Sequence, residues 1–160
     1  MPTQWKFDSE IGPLYLVASE KGLQGVFWRK HASAPTVKNL EGNGPEIKIL
    51  ASTHAQLLEY FSGKRKKFEL TFDIQGTDFQ KKVWAQLAKI PYGETTSYRD
   101  IAQKIKNAKA VRAVGTANGR NPLSIIVPCH RVIAANGTLG GYAGGLPVKT
   151  RLLEIERKKR

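Results

Sequence analysis

Apolar and polar positions alternate in short runs over residues 5–30: Trp5 and Phe7, Leu14 and Leu16, and Val26 and Trp28. Turn signals at Ile11-Gly12-Pro13 and Lys21-Gly22 separate these runs. A period of two marks strands with one buried face, so the region predicts a small antiparallel sheet. Residues 31–46, rich in Pro, Ala, Gly and Asn, read as a loop. Ile47, Leu50, Leu57, Leu58 and Phe61 then fall at helical spacing, and that helix ends at Gly63. Phe68 to Ile74 is strand-like, Gln75-Gly76 forms a boundary, and Thr77-Asp78 can cap the next helix.

Beyond the boundary the period changes to that of helices. Phe79, Val83, Trp84 and Leu87 share one helical face, which stops at Pro91. Ser97-Tyr98-Arg99-Asp100 has the spacing of a capping box and opens a helix whose Tyr98, Ile101, Ala102 and Ile105 lie together. Asn107 breaks it, and a short helix over about Lys109 to Gly119 comes next. Two short helices joined by a few residues predict a helix-turn-helix. Its second helix carries Ala110, Ala113, Gly115, Ala117 and Gly119, with Arg112 as the one long side chain near its start. Such helices lose intrinsic stability, about 1 kcal/mol for each Gly relative to Ala. The small residues therefore mark a close approach, either to a ligand or to another helix of the protein.

The expected fold is mixed α/β of the α+β type. An N-terminal structural domain over 1–75 has a small antiparallel sheet with a helix. A mainly helical, winged-helix-like domain over 76–160 carries the helix-turn-helix.

Charge sharpens this division. The formal net charge is +13, and residues 77–160, with 16 basic and 5 acidic side chains, hold +11 of it. Such a surface attracts polyanions through counterion release, which makes nucleic acid the leading partner. No apolar run approaches the roughly 20 residues of a membrane span, and residues 1–10 lack a signal-peptide core. The expected location is cytoplasmic, or nuclear in a eukaryote.

The single cysteine, Cys129, excludes an internal disulfide, and with only His31, His54 and His130 a four-ligand zinc site is not expected. Cys129 is a buried filler or a reactive thiol. It stands in Asn121-Pro-Leu-Ser-Ile-Ile-Val-Pro-Cys-His-Arg-Val-Ile133, a buried apolar strand interrupted by Pro128. In a strand Cys129 and His130 would point to opposite faces, so a water relay is more natural between them than a direct contact. A glycine-dense loop over 135–145 comes after it, and Lys149 begins the last helix. Glu156, four residues after Leu152, falls on or beside its inward face and needs a partner there, such as a salt bridge or a helix cap.

Pro128-Cys129-His130-Arg131-Val132, with Asn121-Pro122 before it and Gly140-Gly141-Tyr142-Ala143-Gly144-Gly145 after it, resembles the O6-alkylguanine-DNA alkyltransferase family. Pro91-Tyr92-Gly93-Glu94-Thr95-Thr96-Ser97-Tyr98 and Ala110-Val111-Arg112-Ala113-Val114-Gly115 extend the likeness over about Phe79 to Glu156. The resemblance implies irreversible transfer of an alkyl group from O6-alkylguanine in duplex DNA, and from O4-alkylthymine, to Cys129. His130, oriented by Glu156, would draw the thiol proton through a water, and Asn121 would brace the turn. Tyr98 would press on the target nucleotide and donate to the leaving guanine, and Arg112 would replace the extruded base. Arg99, Asn107, Ala113 and Gly115 would meet the DNA, while Val132, Tyr142, Ala143 and Gly144 would line the base. No metal or cofactor is implied, and the expected state is a monomer, with cooperative clustering on DNA left open. Two competing readings are a DNA-binding protein without chemistry, which the cysteine opposes, and a cysteine hydrolase, which needs a base beside the thiol and an oxyanion site.

Overall fold

The computed structural model describes residues 2–158. The chain divides between Gln75 and Gly76 into two compact units.

The first unit is a four-stranded sheet of β1 (Thr3–Ser9), β2 (Gly12–Ala18), β3 (Leu23–Phe27) and β4 (Thr36–Val37), in the order β3-β2-β1-β4, with α1 (Pro45–Phe61) packed on it. β1 and β2 pair antiparallel from Thr3 opposite Ala18 to Ser9 opposite Gly12. Gly12 makes the turn with φ 110°, a value L side chains rarely adopt. The core of this unit is Leu14, Leu16, Val26, Leu50, Leu57 and Tyr60, all fully buried. His54 of α1 sits edge-on to both Trp5 and Phe7, with ring centroids 4.7 Å apart in each case.

Two expectations for this unit are corrected. Within the predicted 31–46 loop, β4 pairs parallel with β1. The cause is Gln4, a buried amide on β1 whose Nε2 donates to the carbonyls of His31 (3.1 Å) and Ala34 (3.2 Å). Its Oε1 accepts from the His31 N–H at 2.7 Å, which draws residues 31–36 onto the sheet edge. The strand expected over 68–74 is reduced to one parallel bridge, Leu23 with Phe72. Its upstream backbone is engaged by a helix side chain instead: Gln56 donates to the Glu69 carbonyl (3.0 Å) and accepts from the Glu69 N–H (2.8 Å).

The second unit contains α2 (Asp78–Leu87), β5 (Thr96–Ser97), α3 (Tyr98–Lys104), α4 (Val111–Gly119), a 3-10 turn (Cys129–Arg131), β6 (Val132–Ile133) and α5 (Leu146–Lys158). Thr77 and Gln80 form a full capping box at α2, and Trp84 Nε1 donates to the Ala117 carbonyl at 2.9 Å, pinning α2 to α4. α3 and α4 are the predicted helix-turn-helix. Ser97 caps α3 through the Asp100 N–H (3.0 Å), but the Asp100 carboxylate accepts from Thr96 Oγ1 (3.2 Å), so only half of the expected capping box forms. α3 ends in a Schellman motif, with Lys106 N–H on the Gln103 carbonyl (3.0 Å) and Asn107 N–H on the Ala102 carbonyl (2.9 Å). The left-handed position is filled by Lys106, at φ 61°.

The buried strand expected over 121–133 shrinks to Val132–Ile133, which pairs parallel with β5. Asn121 folds the preceding residues into a turn: its Oδ1 accepts from the Leu123 N–H (3.0 Å) and its Nδ2 donates to the Val127 carbonyl (2.7 Å). Ile125 sits at φ 75°, which no strand accommodates. α5 begins at Leu146, three residues before the expected Lys149.

Candidate active site

The site grows from the backbone around Pro128. Its φ of −81° and ψ of 66° form an inverse γ-turn, closed by the Cys129 N–H on the Val127 carbonyl at 2.8 Å. Proline supplies this φ without ordering cost. The 3-10 turn beyond it sends successive side chains about 120° apart. The Cys129 thiol and the His130 ring therefore diverge, and no hydrogen bond joins them. The expected lack of direct contact holds, but through a turn rather than a strand.

The thiol borders a cavity of about 380 Å³. Tyr98, Gly115, Asn121, Tyr142 and Ala143 line it together with Cys129, so six of the residues singled out in the sequence meet at one place. Val132 and Gly144 do not line it. Val132 is fully buried in the ladder, and its carbonyl accepts from Lys149 Nζ at 2.7 Å, so one face of the expected base contact is already engaged. Asn118, Gly119, Ser124 and Gly141 complete the lining; Gly119 belongs to the small-residue helix face marked in the sequence, whereas Asn118 and Ser124 were not singled out there.

Glycines make the room. A Cβ on Gly115 would come no nearer than 3.9 Å to the Tyr98 ring, and one on Gly119 would meet nothing within 4 Å. The two glycines of α4 are thus not explained by helix packing, and their absent side chains open the cavity, whereas the buried Ala117 is where α2 packs against the helix. Gly140 differs: at φ 72° it is left-handed, and a Cβ there would lie 3.1 Å from the Tyr98 hydroxyl. Tyr98, half-buried as the first residue of α3, is held between these glycines. Burial raises its hydroxyl pKa, and the neighbouring Cys129 adds to the effect.

Burial likewise pushes the Cys129 thiol up, while Asn121, Lys149 and Tyr142 pull it back down. The lowered thiol that transfer chemistry calls for is therefore opposed by the site's dryness and supported by these three neighbours. Tyr142 is itself raised well above its ordinary value, by burial first and then by the neighbouring Cys129.

Behind the cysteine lies a buried ionic network. His130 Nε2 and Glu156 Oε2 are 2.6 Å apart. Arg131 donates to the same carboxylate from Nε at 2.7 Å and from a terminal nitrogen at 3.0 Å, and the Gly93 N–H adds a fourth bond at 3.3 Å. Burial alone would raise Glu156, but the bonds from His130 and Arg131 outweigh it and hold the carboxyl at about 2. His130 is fully buried, and burial, aided by the charges of Arg131 and Lys149, lowers its pKa against the pull of Glu156. Since Arg131 already neutralises the carboxylate, we assign His130 as the neutral imidazole donating from Nε2. Its Nδ1 is then the basic nitrogen, and it has no hydrogen-bond partner among the described residues.

Sequence reasoning missed two cations here. Arg131 was read only as part of a motif, yet it also donates to the Ile90 carbonyl at 2.7 Å and lies over the Tyr92 ring. Lys149 is fully buried, and its Nζ donates to the carbonyls of Val132, Leu139 and Gly141, fastening the glycine-dense loop. Its sequence signal was its spacing: it stands three residues before Leu152 and seven before Glu156, on the buried face of the last helix. Arg99, Asn107, Arg112 and Ala113 stand exposed on the helix-turn-helix, outside the cavity. No group of three or more His, Cys, Asp or Glu side chains suited to a metal ion occurs among the described residues. None of their helices is long and apolar enough to cross a membrane.

A helix-turn-helix unit with a lone thiol at the wall of a base-sized cavity, next in the chain to a buried His–Glu–Arg network, defines a narrow class of protein. Residues 78–158 match the DNA-binding domain of 6-O-methylguanine DNA methyltransferase, and residues 5–74 match the ribonuclease-like domain of the same family. The chain belongs to this family. It is 49% identical over 150 residues to the methylated-DNA–protein-cysteine methyltransferase of Methanosarcina acetivorans, covering 94% of this chain and 95% of that one. It is 54% identical over 159 residues to the constitutive methylated-DNA–protein-cysteine methyltransferase of Bacillus subtilis, covering 94% and 92%. Mycobacterium tuberculosis OGT, solved in complex with DNA, superposes with a TM-score of 0.88 at 41% identity, covering 98% of this chain and 94% of that one.

Proposed function

We propose that this protein repairs DNA by direct reversal, moving the alkyl group of O6-alkylguanine in duplex DNA irreversibly to Cys129. The observation that carries this reading is a buried thiol at the wall of an open cavity, beside a neutral histidine whose other nitrogen is engaged by a buried carboxylate. The exposed helix-turn-helix binds the duplex, and the target nucleotide leaves the stack for the cavity while Arg112 fills the gap. Arg99 and Asn107 hold the backbone, and Ala113 and Gly115 allow it to come close.

The thiol proton passes through a water to His130 Nδ1, and the imidazolium is stabilised by Glu156. Sulfur bonds to the alkyl carbon, the carbon–O6 bond breaks, and the departing guanine takes a proton from Tyr98, which is replaced from the imidazolium or solvent. Burial keeps Tyr98 protonated until that charge develops. The product thioether has a saturated carbon and a poor leaving group, and Cys129 is the only cysteine, so no second thiol can remove the alkyl group. Each molecule acts once and as a monomer, and O4-alkylthymine is a poorer substrate.

Incubating the protein with a duplex holding one O6-methylguanine, then analysing intact mass and peptides, tests the reading. Product plateaus at one alkyl per protein, with the added methylene on the Cys129 peptide. Continuous turnover with excess substrate, or an unmodified Cys129 at the plateau, overturns it.

A further inference from the structure

We infer that Asn118 is a specificity-determining residue, whose side-chain oxygen accepts a hydrogen bond from the exocyclic amine of the flipped guanine. The inference rests on the alkyl-transfer reading above and deepens it.

Asn118 lies on α4 three residues after Gly115 and one before Gly119, so the three share the helix face that lines the cavity with Cys129. Its side chain is 4% exposed. Its Nδ2 donates to the Cys129 carbonyl at 3.4 Å, which fixes the amide's orientation, because the reverse placement would set oxygen against oxygen. Its Oδ1 is buried and has no hydrogen-bond partner among the described residues. The neighbouring Asn121 makes the contrast: both ends of its amide are taken by backbone, so its role is to hold the turn. A buried acceptor without a donor is costly, and each such group in a native protein calls for an explanation.

The chemistry of the candidate bases supplies one. On O6-alkylguanine, N1, N3, N7 and the alkylated oxygen are all acceptors, and the exocyclic amine carries the only N–H donors. On O4-alkylthymine every exposed ring and carbonyl heteroatom is an acceptor and there is no donor. Asn118 Oδ1 is satisfied by the first base and left orphaned by the second. Sites that bond a substrate N–H discriminate strongly against analogues lacking it.

The test compares single-turnover transfer from duplexes containing O6-methylguanine, O6-methylhypoxanthine, which differs only by loss of the amine, and O4-methylthymine. The parent protein is expected to react about tenfold to a hundredfold more slowly with O6-methylhypoxanthine than with O6-methylguanine. Asn118→Leu, close in volume, slows only the guanine substrate, so that the preference collapses. Asn118→Ala is measured in parallel and, if the Leu variant does not fold, carries the comparison alone. A parent without preference for the amine overturns the inference, as does equal slowing on all three bases, which would make Asn118 a tether for the Cys129 backbone only. Absence of any alkyl on Cys129 in the parent would instead count against alkyl transfer itself.

Discussion

Replacing Arg131 by Met removes a charge while keeping most of the bulk, and it strips two hydrogen bonds from a buried carboxylate. Glu156 is 1% exposed and receives both of them from Arg131, at 2.7 and 3.0 Å. Removing one partner of a buried ion pair costs about 3–5 kcal/mol, because the other charge stays buried without compensation. For a chain of this length each kcal/mol moves Tm by roughly 2–4 °C, so Arg131→Met melts roughly 10 °C below the parent. Adding Glu156→Gln removes the orphaned charge, and the double variant recovers much of that loss. A second effect is chemical. The Arg131 charge helps hold His130 down; without it, Glu156 takes the imidazolium as its counter-charge and the His130 pKa rises. Transfer needs the neutral ring, and a base with a raised pKa stays protonated to higher pH. The acid limb of the rate therefore moves upward, with activity lost near neutrality and regained as pH rises. Thermal melting and single-turnover transfer between pH 5 and 9 read both effects. An unmoved acid limb, or a variant melting within about 3 °C of the parent, refutes the reasoning.

Gly115→Ala should raise stability by about 0.5–1 kcal/mol, since the new Cβ meets only the Tyr98 ring at 3.9 Å, yet slow transfer from duplex DNA; a destabilised variant would mean that the glycine serves packing. Glu156 is held at about 2 against an ordinary 4.5. A depressed carboxyl stabilises the fold above its unfolded value and loses that contribution, about 3 kcal/mol, as pH falls from roughly 4.5 towards 2. Acid titration of stability, monitored by tryptophan fluorescence, should flatten over that window in Glu156→Gln, and an unchanged slope would assign the acid sensitivity elsewhere. Arg112→Ala should impair repair of paired O6-methylguanine far more than transfer from the free base, because unstacking costs a few kcal/mol. Equal slowing would place Arg112 in another role.

Periodicity made most of the helices legible, because each buries a stripe that repeats at helical spacing. It failed where side chains, rather than the backbone ladder, decide the conformation. Residues 121–128 are apolar enough for a strand, but the Asn121 amide bonds both limbs of a turn, and an apolar count does not register that competition. Residues 68–74 alternate like a strand, yet Gln56, thirteen positions away from Glu69, claims part of their backbone. The proposed reactive centre was readable because Cys129 is the only cysteine, His130 is one of three histidines, and both stand with Asn121 in a recognisable order. Arg131 and Lys149 were hidden by base rates: both entered the count of a basic surface, since lysine and arginine are almost never buried unless paired. What buries them is the placement of carbonyls from Ile90, Val132, Leu139 and Gly141, which depends on tertiary structure.

Those two cations also bear on the fate of the spent protein. Arg131, Lys149 and Glu156 are all buried around the reactive segment, two positive groups against one carboxylate. Arg131 is matched by Glu156, which leaves Lys149 as the cation that attracts a Cys129 thiolate: Lys149 draws the thiol pKa down, and Cys129 in turn raises that of Lys149. Burial holds the unreacted sulfur as an uncharged S–H, and alkylation turns it into a thioether that can neither ionise beside Lys149 nor donate a hydrogen bond. The new methyl must also fit beside Cys129, which is 3% exposed. Overpacking of this kind costs about 1–3 kcal/mol. The alkylated protein should therefore melt roughly 3–10 °C below the unreacted one, and a bulkier transferred group should lower it further. Scanning calorimetry before and after reaction with a methylated duplex, with the DNA removed at high salt, measures the difference. An alkylated form that melts level with or above the free protein would show that the packing around Cys129 is not tuned to the unreacted thiol.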